Sequence, residues 1–325
     1  MSRKLITIST IMTLMSTSVM ADVPKVAADI APIHSLVSKV MGGVGEPKLI
    51  IQSGASPHGY RLRPSEAKAL QDANLIFWMG EELTPWLEGA IDTLASNASV
   101  TTLLDQEGVV LHEFREGALF EAHDHSAHDD HDDHKDHDDH DDHDDHKDHD
   151  DHDDHGSHDP HAWLSPENAK LWLNIIASKL SVSDPENAAT YFMNAAAGQA
   201  EIEAMIAEVS ATLKPVQGGK FVVFHDAYQY FENDFDFYAS GAISLGDSSD
   251  PSPARIEKVQ KRIRDEGIQC VLAEPQFKKG LVATVMEGSD ATASVIDPLG
   301  AELETGPKLY TRLIKNMAKT LRNCL

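Results

Sequence analysis

Of the 18 histidines in this chain, 13 crowd between positions 123 and 159, and five stand elsewhere: His34, His58, His112, His161 and His225. Three of those five share a context. His58 lies in "SGASPHGYRLRPS", soon after an apolar run that ends near Gln52; His161 lies in "DPHAWLSP", just before a helical pattern; His225 closes the run "FVVFH". Asp297, in "VIDPLG", closes another such run. Ligands in open α/β sheets collect beyond the carboxyl ends of strands, which is where these residues are expected. Three imidazoles with one carboxylate or water make a tetrahedral zinc site. Imidazole suits zinc, copper and nickel, whereas manganese and calcium want more oxygen donors. Taken singly, each histidine reads more simply as a cap or core residue, because no two share the short spacing of a metal finger.

The crowded histidines are His123, His125, His128, His131, His134, His137, His140, His143, His146, His149, His152, His155 and His158, mostly three residues apart. Residues 123–159 also hold 18 aspartates against Lys135 and Lys147, so they supply −16 of the chain's net charge of −26 and leave the remainder at −10. That balance disfavours nucleic acid and anionic membranes as partners and favours cations. A segment with no apolar face cannot offset the entropy of ordering it, so the tract is expected to be disordered without metal. It is either a solvated polyelectrolyte loop or a set of weak, exchanging imidazole and carboxylate sites. A flexible chain of this length spans ~30 to 36 Å. Because His158 is three residues from His161, metal held by the tract would stay near His161 at an effective concentration of ~millimolar order.

The elements that must position these residues follow from hydrophobic period. Strands are expected at KVAADI (25–30), KLIIQ (48–52) and LIFWM (75–79), with helical spacing between and after them. After the tract, Pro166 opens one helix and residues 184–215 another of about thirty residues, with Tyr191, Ala195, Ile202, Met205, Ile206, Val209 and Leu213 as its apolar stripe. Gly198 falls on that stripe, where it would admit a close neighbour. Such a helix spans roughly 45 Å. Further strands are expected at KFVVFH (220–225), FDFYAS (235–240), IQCVLA (268–273) and ASVIDP (293–298), with helices at 253–266, 280–288 and 307–323. This βαβα order predicts an α/β fold with two parallel-sheet lobes, 22–180 and 216–325, joined by the long rigid helix at 184–215.

The first 21 residues read as a secretory signal, with Arg3 and Lys4 before a short apolar run and Val19-Met20-Ala21 before Asp22. The mature protein is then expected to be exported and soluble. Only Cys270 and Cys324 occur, too far apart for a CxxC site, and one disulfide is expected in an oxidising compartment.

Five segments in order, "GASPHGYRLRPSEAKAL", "DPHAWLSPENA", "VFHDAYQYFE", "EPQF" and "IDPLG", resemble the metal-binding receptors of bacterial ABC importers, in particular the periplasmic zinc-uptake (ZnuA-type) branch. The resemblance spans nearly the whole mature chain. It implies two α/β lobes, a linking helix, a zinc cleft between the lobes with His58, His161 and His225 as ligands, and a C-terminal-lobe disulfide. It also implies a histidine-acid insertion before the second ligand, delivery of Zn2+ to an inner-membrane ABC permease, and no catalysis; the receptor is expected to be a monomer. Some zinc-type members place an acidic residue before the first ligand, where this chain has Pro57. The fourth position is therefore open between Asp297, which matches the carboxylate of manganese-type relatives, and water. Glu274 is a weaker candidate with a structural role the plainer reading. His34 reads as a packed helical residue and His112 as a loop residue near the insertion, while Tyr60 and Trp163 are expected to pack around ligands. Two other functions fit parts of the sequence: a metal buffer or adhesin in which the tract is the main device, and a zinc hydrolase, for which an HExxH run and an evident general base are missing.

Overall fold

The computed structural model describes residues 23–115, 119–120, 158–244, 251–276 and 279–325. The signal segment and His123 to His155 lie outside the described residues.

Two parallel four-stranded sheets repeat one topology. The first runs β2-β1-β3-β4, from β1 (Val26–Ala28), β2 (Lys48–Leu49), β3 (Leu75–Trp78) and β4 (Ser99–Thr102); the second runs β6-β5-β7-β8, from β5 (Phe221–His225), β6 (Ala242–Ser244), β7 (Cys270–Ala273) and β8 (Thr292–Val295). Parallel strands need crossovers, which the helices α1 (Ala31–Val40), α2 (Pro64–Asp72) and α3 (Pro85–Leu94) provide in the first lobe, and α6 (Gln229–Phe235), α7 (Pro253–Glu266) and α8 (Lys279–Met286) in the second. β1, β3 and β5 are buried along their whole length, as strands covered on both faces must be, and they are the uninterrupted apolar runs of the sequence. In both sheets the order of winding reverses between the first and third strands, which places a crevice at the carboxyl ends of β1 and β3 and another at those of β5 and β7.

Between the lobes lie α4 (Pro166–Ser183), α5 (Ala188–Leu213) and α9 (Leu309–Cys324). The linking helix is α5, extended by a 3-10 turn at each end, Pro185–Asn187 and Lys214–Val216. Its buried residues, Tyr191, Ala195, Gly198, Ile202, Met205, Val209 and Leu213, are the predicted stripe without Ile206, which is only partly buried. A Cβ on Gly198 would come within 2.9 Å of Leu173 Cδ1 and 3.1 Å of Lys39 Cγ, so the glycine lets α4 and α1 approach α5 closely. One apolar core runs from the first sheet through these helices to the near face of the second sheet. A separate cluster lies under α7 and α8. The Cys270–Cys324 disulfide ties β7 to the end of α9, closing a separation of 54 residues with Cα atoms 5.6 Å apart.

The structure departs from the sequence reading at FDFYAS. Gln229–Phe235 is helical, Asp236 takes a left-handed conformation at φ 50°, and the strand begins at Ala242. The alternating phenylalanines serve other contacts: the Phe231 and Phe235 rings meet at 4.7 Å on successive turns of α6, and Phe237 stacks on Phe221 at 5.5 Å. Strand β4 was not read from the sequence, since "SVTT" is mostly solvent-facing and has no apolar run. Among the described residues no helix is long and apolar enough to cross a membrane.

Candidate metal centre

His225 is the last residue of β5, and Glu274 follows β7. The parallel register pairs Phe221 with Cys270 and Val223 with Leu272, so two further steps bring His225 beside Glu274 at the crevice of the second sheet. His225 Nδ1 lies 2.5 Å from Glu274 Oε1, and Gln276 Nε2 donates to the other carboxylate oxygen at 2.7 Å. At the corresponding point of the first sheet stands a buried carboxylate. Asp29 follows β1 and accepts from Ile30 N and Met79 N, both at 2.7 Å. Burial pushes that carboxyl up to about 7 against the lowering effect of these backbone bonds.

His161 comes from the loop before α4. Its Nδ1 lies 2.6 Å from Asp159 Oδ1, which also accepts His161 N–H at 3.0 Å. Residues of the second lobe hold this loop. Trp163 Nε1 donates to Pro298 O at 2.8 Å, Ser165 Oγ donates to Asp234 at 2.7 Å, and the buried Tyr310 hydroxyl reaches Trp163 O and Ser165 O at 3.0 and 3.2 Å. The Trp163 ring packs on His161 with centroids 5.2 Å apart.

His58 lies on the loop between β2 and α2, where Trp86 Nε1 donates to Pro57 O at 2.7 Å and Tyr60 donates to Glu66 at 2.7 Å. It is partly exposed, whereas His161 and His225 are buried.

These three histidines are the group of ligand atoms that the described residues bring together, all within 4.8 Å of one another. The chemistry of the donor set fits a cation. With Nδ1–H donated to a carboxylate, a neutral imidazole keeps its Nε2 lone pair free, the arrangement that metal-binding histidines use. His161 Nε2 and His225 Nε2 face each other at 3.3 Å. Two nitrogens at ~2.05 Å from one tetrahedral ion are separated by ~3.35 Å. The facing pair is thus spaced as though about a shared ion. His58 needs a movement of at most roughly 1.5 Å to match that separation.

Asp297 stands apart from this group. Its Oδ1 accepts from Leu299 N and Gly300 N at 3.0 and 2.9 Å and its Oδ2 from Ala301 N at 2.5 Å, so the carboxylate closes its own turn. Glu274 takes the supporting place described, beside the buried Tyr228, whose phenol is pushed well above its ordinary range by burial and then by the charge of Glu274. His34 packs on α1, with Nε2 at 3.2 Å from Pro47 O and Nδ1 at 3.4 Å from Ser38 Oγ, and burial lowers its pKa. His112 packs against Tyr230 with centroids 4.7 Å apart, away from the three histidines. His158 is bridged to Glu113. Sequence reasoning missed Asp159 by counting it with the tract; its position two residues before His161 in "DPH" was the available signal.

A family profile described as zinc-uptake complex component A, periplasmic (ZnuA), matches residues 26–324. The ZnuA high-affinity zinc uptake protein of Brucella abortus is 50% identical over 304 residues, 92% of this chain and 91% of that protein. The one from Paracoccus denitrificans is 45% identical over 306 residues, 94% and 93% of the two chains. The crystal structure of a zinc-bound ZnuA deletion mutant superposes with a TM-score of 0.72 at 20% identity, covering 93% of this chain and 98% of its own. The relatives are transport proteins rather than enzymes. On the profile and the two relatives, this chain belongs to the ZnuA family of periplasmic zinc-uptake components.

Proposed function

We propose that this protein is a periplasmic receptor that binds one Zn2+ in the cleft through His58, His161 and His225 and presents it to an inner-membrane ABC permease. The observation that carries the reading is the 3.3 Å separation of the two facing Nε2 atoms, each opposite a carboxylate-held Nδ1. Three nitrogen donors favour zinc over manganese, which prefers oxygen. The fourth position is open to water or to Asp297, whose Oδ2 accepts a single backbone bond and keeps a lone pair. The N-terminal 21 residues direct export. The tract, whose last histidine is three residues from His161, gathers zinc loosely and passes it to the cleft. Isothermal titration of a protein lacking residues 123–157 tests the assignment. One tight equivalent is expected, and loss of all tight binding overturns the cleft assignment in favour of a tract-based buffer.

A further inference from the structure

The root of the histidine tract is fastened to the segments that carry two of the three ligands. Residues 112–115 lead into the tract and residues 158–161 lead out of it. They meet in an antiparallel bridge between Glu113 and His158, and Asp159 N–H donates to His112 O at 2.8 Å. Two side-chain devices fasten this root to the second lobe. Tyr230 of α6 is fully buried; its hydroxyl accepts His112 N–H at 3.1 Å and donates to Asp159 O at 2.6 Å, so one oxygen fastens the incoming and outgoing strands together.

The second device is an arginine between two buried acids. Arg115 Nε lies 3.0 Å from both oxygens of Asp226, its Nη2 also bonds Asp226, and its Nη1 reaches Glu232 at 2.5 Å. The side chains of Arg115, Asp226 and Glu232 are 16%, 6% and 1% exposed, so this is not a surface pair of small consequence. Removing the arginine would leave two carboxylates buried together without a counter-charge. The planar fork is needed because one group must serve two acids at once, which a lysine ammonium does less well. The Phe120 ring lies over the guanidinium at 3.6 Å.

Both devices lead to the metal centre. Asp226 is the residue after His225, and Asp159, held through its carbonyl by Tyr230, holds His161 through its carboxylate. Resting on the three-histidine reading above, we propose that Arg115 and Tyr230 are positioning residues of the metal centre. By clamping the root of the tract onto the second lobe they keep His161 and His225 in the facing arrangement that a tetrahedral ion requires.

The test uses full-length mature protein and less than one equivalent of Co2+, whose visible absorption reports tetrahedral nitrogen coordination, together with the rate at which a chelator removes Zn2+. Arg115→Met, Arg115→Lys and Tyr230→Phe are compared with the parent, with His58→Ala marking the part of the signal that belongs to the cleft. Tyr230→Phe loses one oxygen and keeps the ring, so it remains informative if Arg115→Met does not fold. The expected result is a weakened or shifted cobalt band and at least tenfold faster zinc release in Tyr230→Phe and in Arg115→Lys, the lysine restoring the melting temperature but not the spectrum. Variants that melt earlier yet keep the parental spectrum and release rate would reduce both residues to fold stabilisers and overturn the inference alone. A parent with no His58-dependent signal overturns the three-histidine reading itself.

Discussion

Glu274→Gln isolates what the carboxylate behind His225 contributes. In the parent the pair is 2.5 Å apart, with the glutamate side chain 0% exposed and the histidine 4%, so solvent cannot substitute for the bond. A charge-assisted hydrogen bond in such surroundings contributes about 1.5–3 kcal/mol. It acts when zinc draws electron density from the ring, because the anion stabilises the positive charge that develops there. Glutamine retains one acceptor oxygen, but its amide nitrogen then meets Gln276 Nε2, which now donates to Glu274 Oε2 at 2.7 Å. The expected loss is 10- to 100-fold in zinc affinity, about 1.4–2.7 kcal/mol. The metal-free protein should melt nearly as before, since a buried negative charge has been removed along with a hydrogen bond. Competition against a chromophoric chelator at pH 7.5, in protein lacking residues 123–157, measures the affinity, and a melting curve of the metal-free form measures the fold. A change below twofold, with stoichiometry still one, would refute the claim that Glu274 tunes the donor.

Three further outcomes follow from the same geometry. Cys324→Ser should lower stability by about 4 kcal/mol from the loop-closure entropy of a 54-residue separation, seen as an earlier denaturation midpoint, while zinc stoichiometry stays unchanged. The carboxyl of Asp29, raised by burial to about 7, binds a proton more readily folded than unfolded, so its contribution to stability is present below pH ~4 and is lost as pH rises towards 7; Asp29→Asn should flatten the decline between pH 5 and 8 in urea titrations of the metal-free protein. Gly198→Val would press a branched side chain where even a Cβ meets Leu173 at 2.9 Å, and overpacking of this kind costs about 1–3 kcal/mol, read from chemical denaturation.

The sequence showed the donors more clearly than their supports. That His58, His161 and His225 come together was legible in their placing after predicted strands or before a helix, and the linking helix in a stripe that repeats over about six turns. The supports are pairings across the chain: Glu274 reaches His225 over 49 residues and Arg115 reaches Asp226 over 111. No local pattern encodes such distances. Asp159 was hidden by composition, one aspartate among many. At FDFYAS the alternation of aromatics resembled a strand, yet i,i+4 stacking on α6 and the left-handed turn at Asp236 prevailed. Asp297 closes a predicted strand, and the three amides after it that bond its carboxylate are not revealed by spacing.

The unequal exposure of the three histidines has a kinetic consequence. Two imidazoles are buried and braced by carboxylates, while the third is partly exposed on a loop after β2. On the proposed three-histidine reading, a zinc ion held this way would leave by stepwise substitution rather than by simple escape: an incoming donor would displace His58 while the braced pair retains the ion. Exchange would then be first order in the competing ligand and slow in its absence, a property suited to a carrier that must not lose its cargo in transit yet must surrender it on contact.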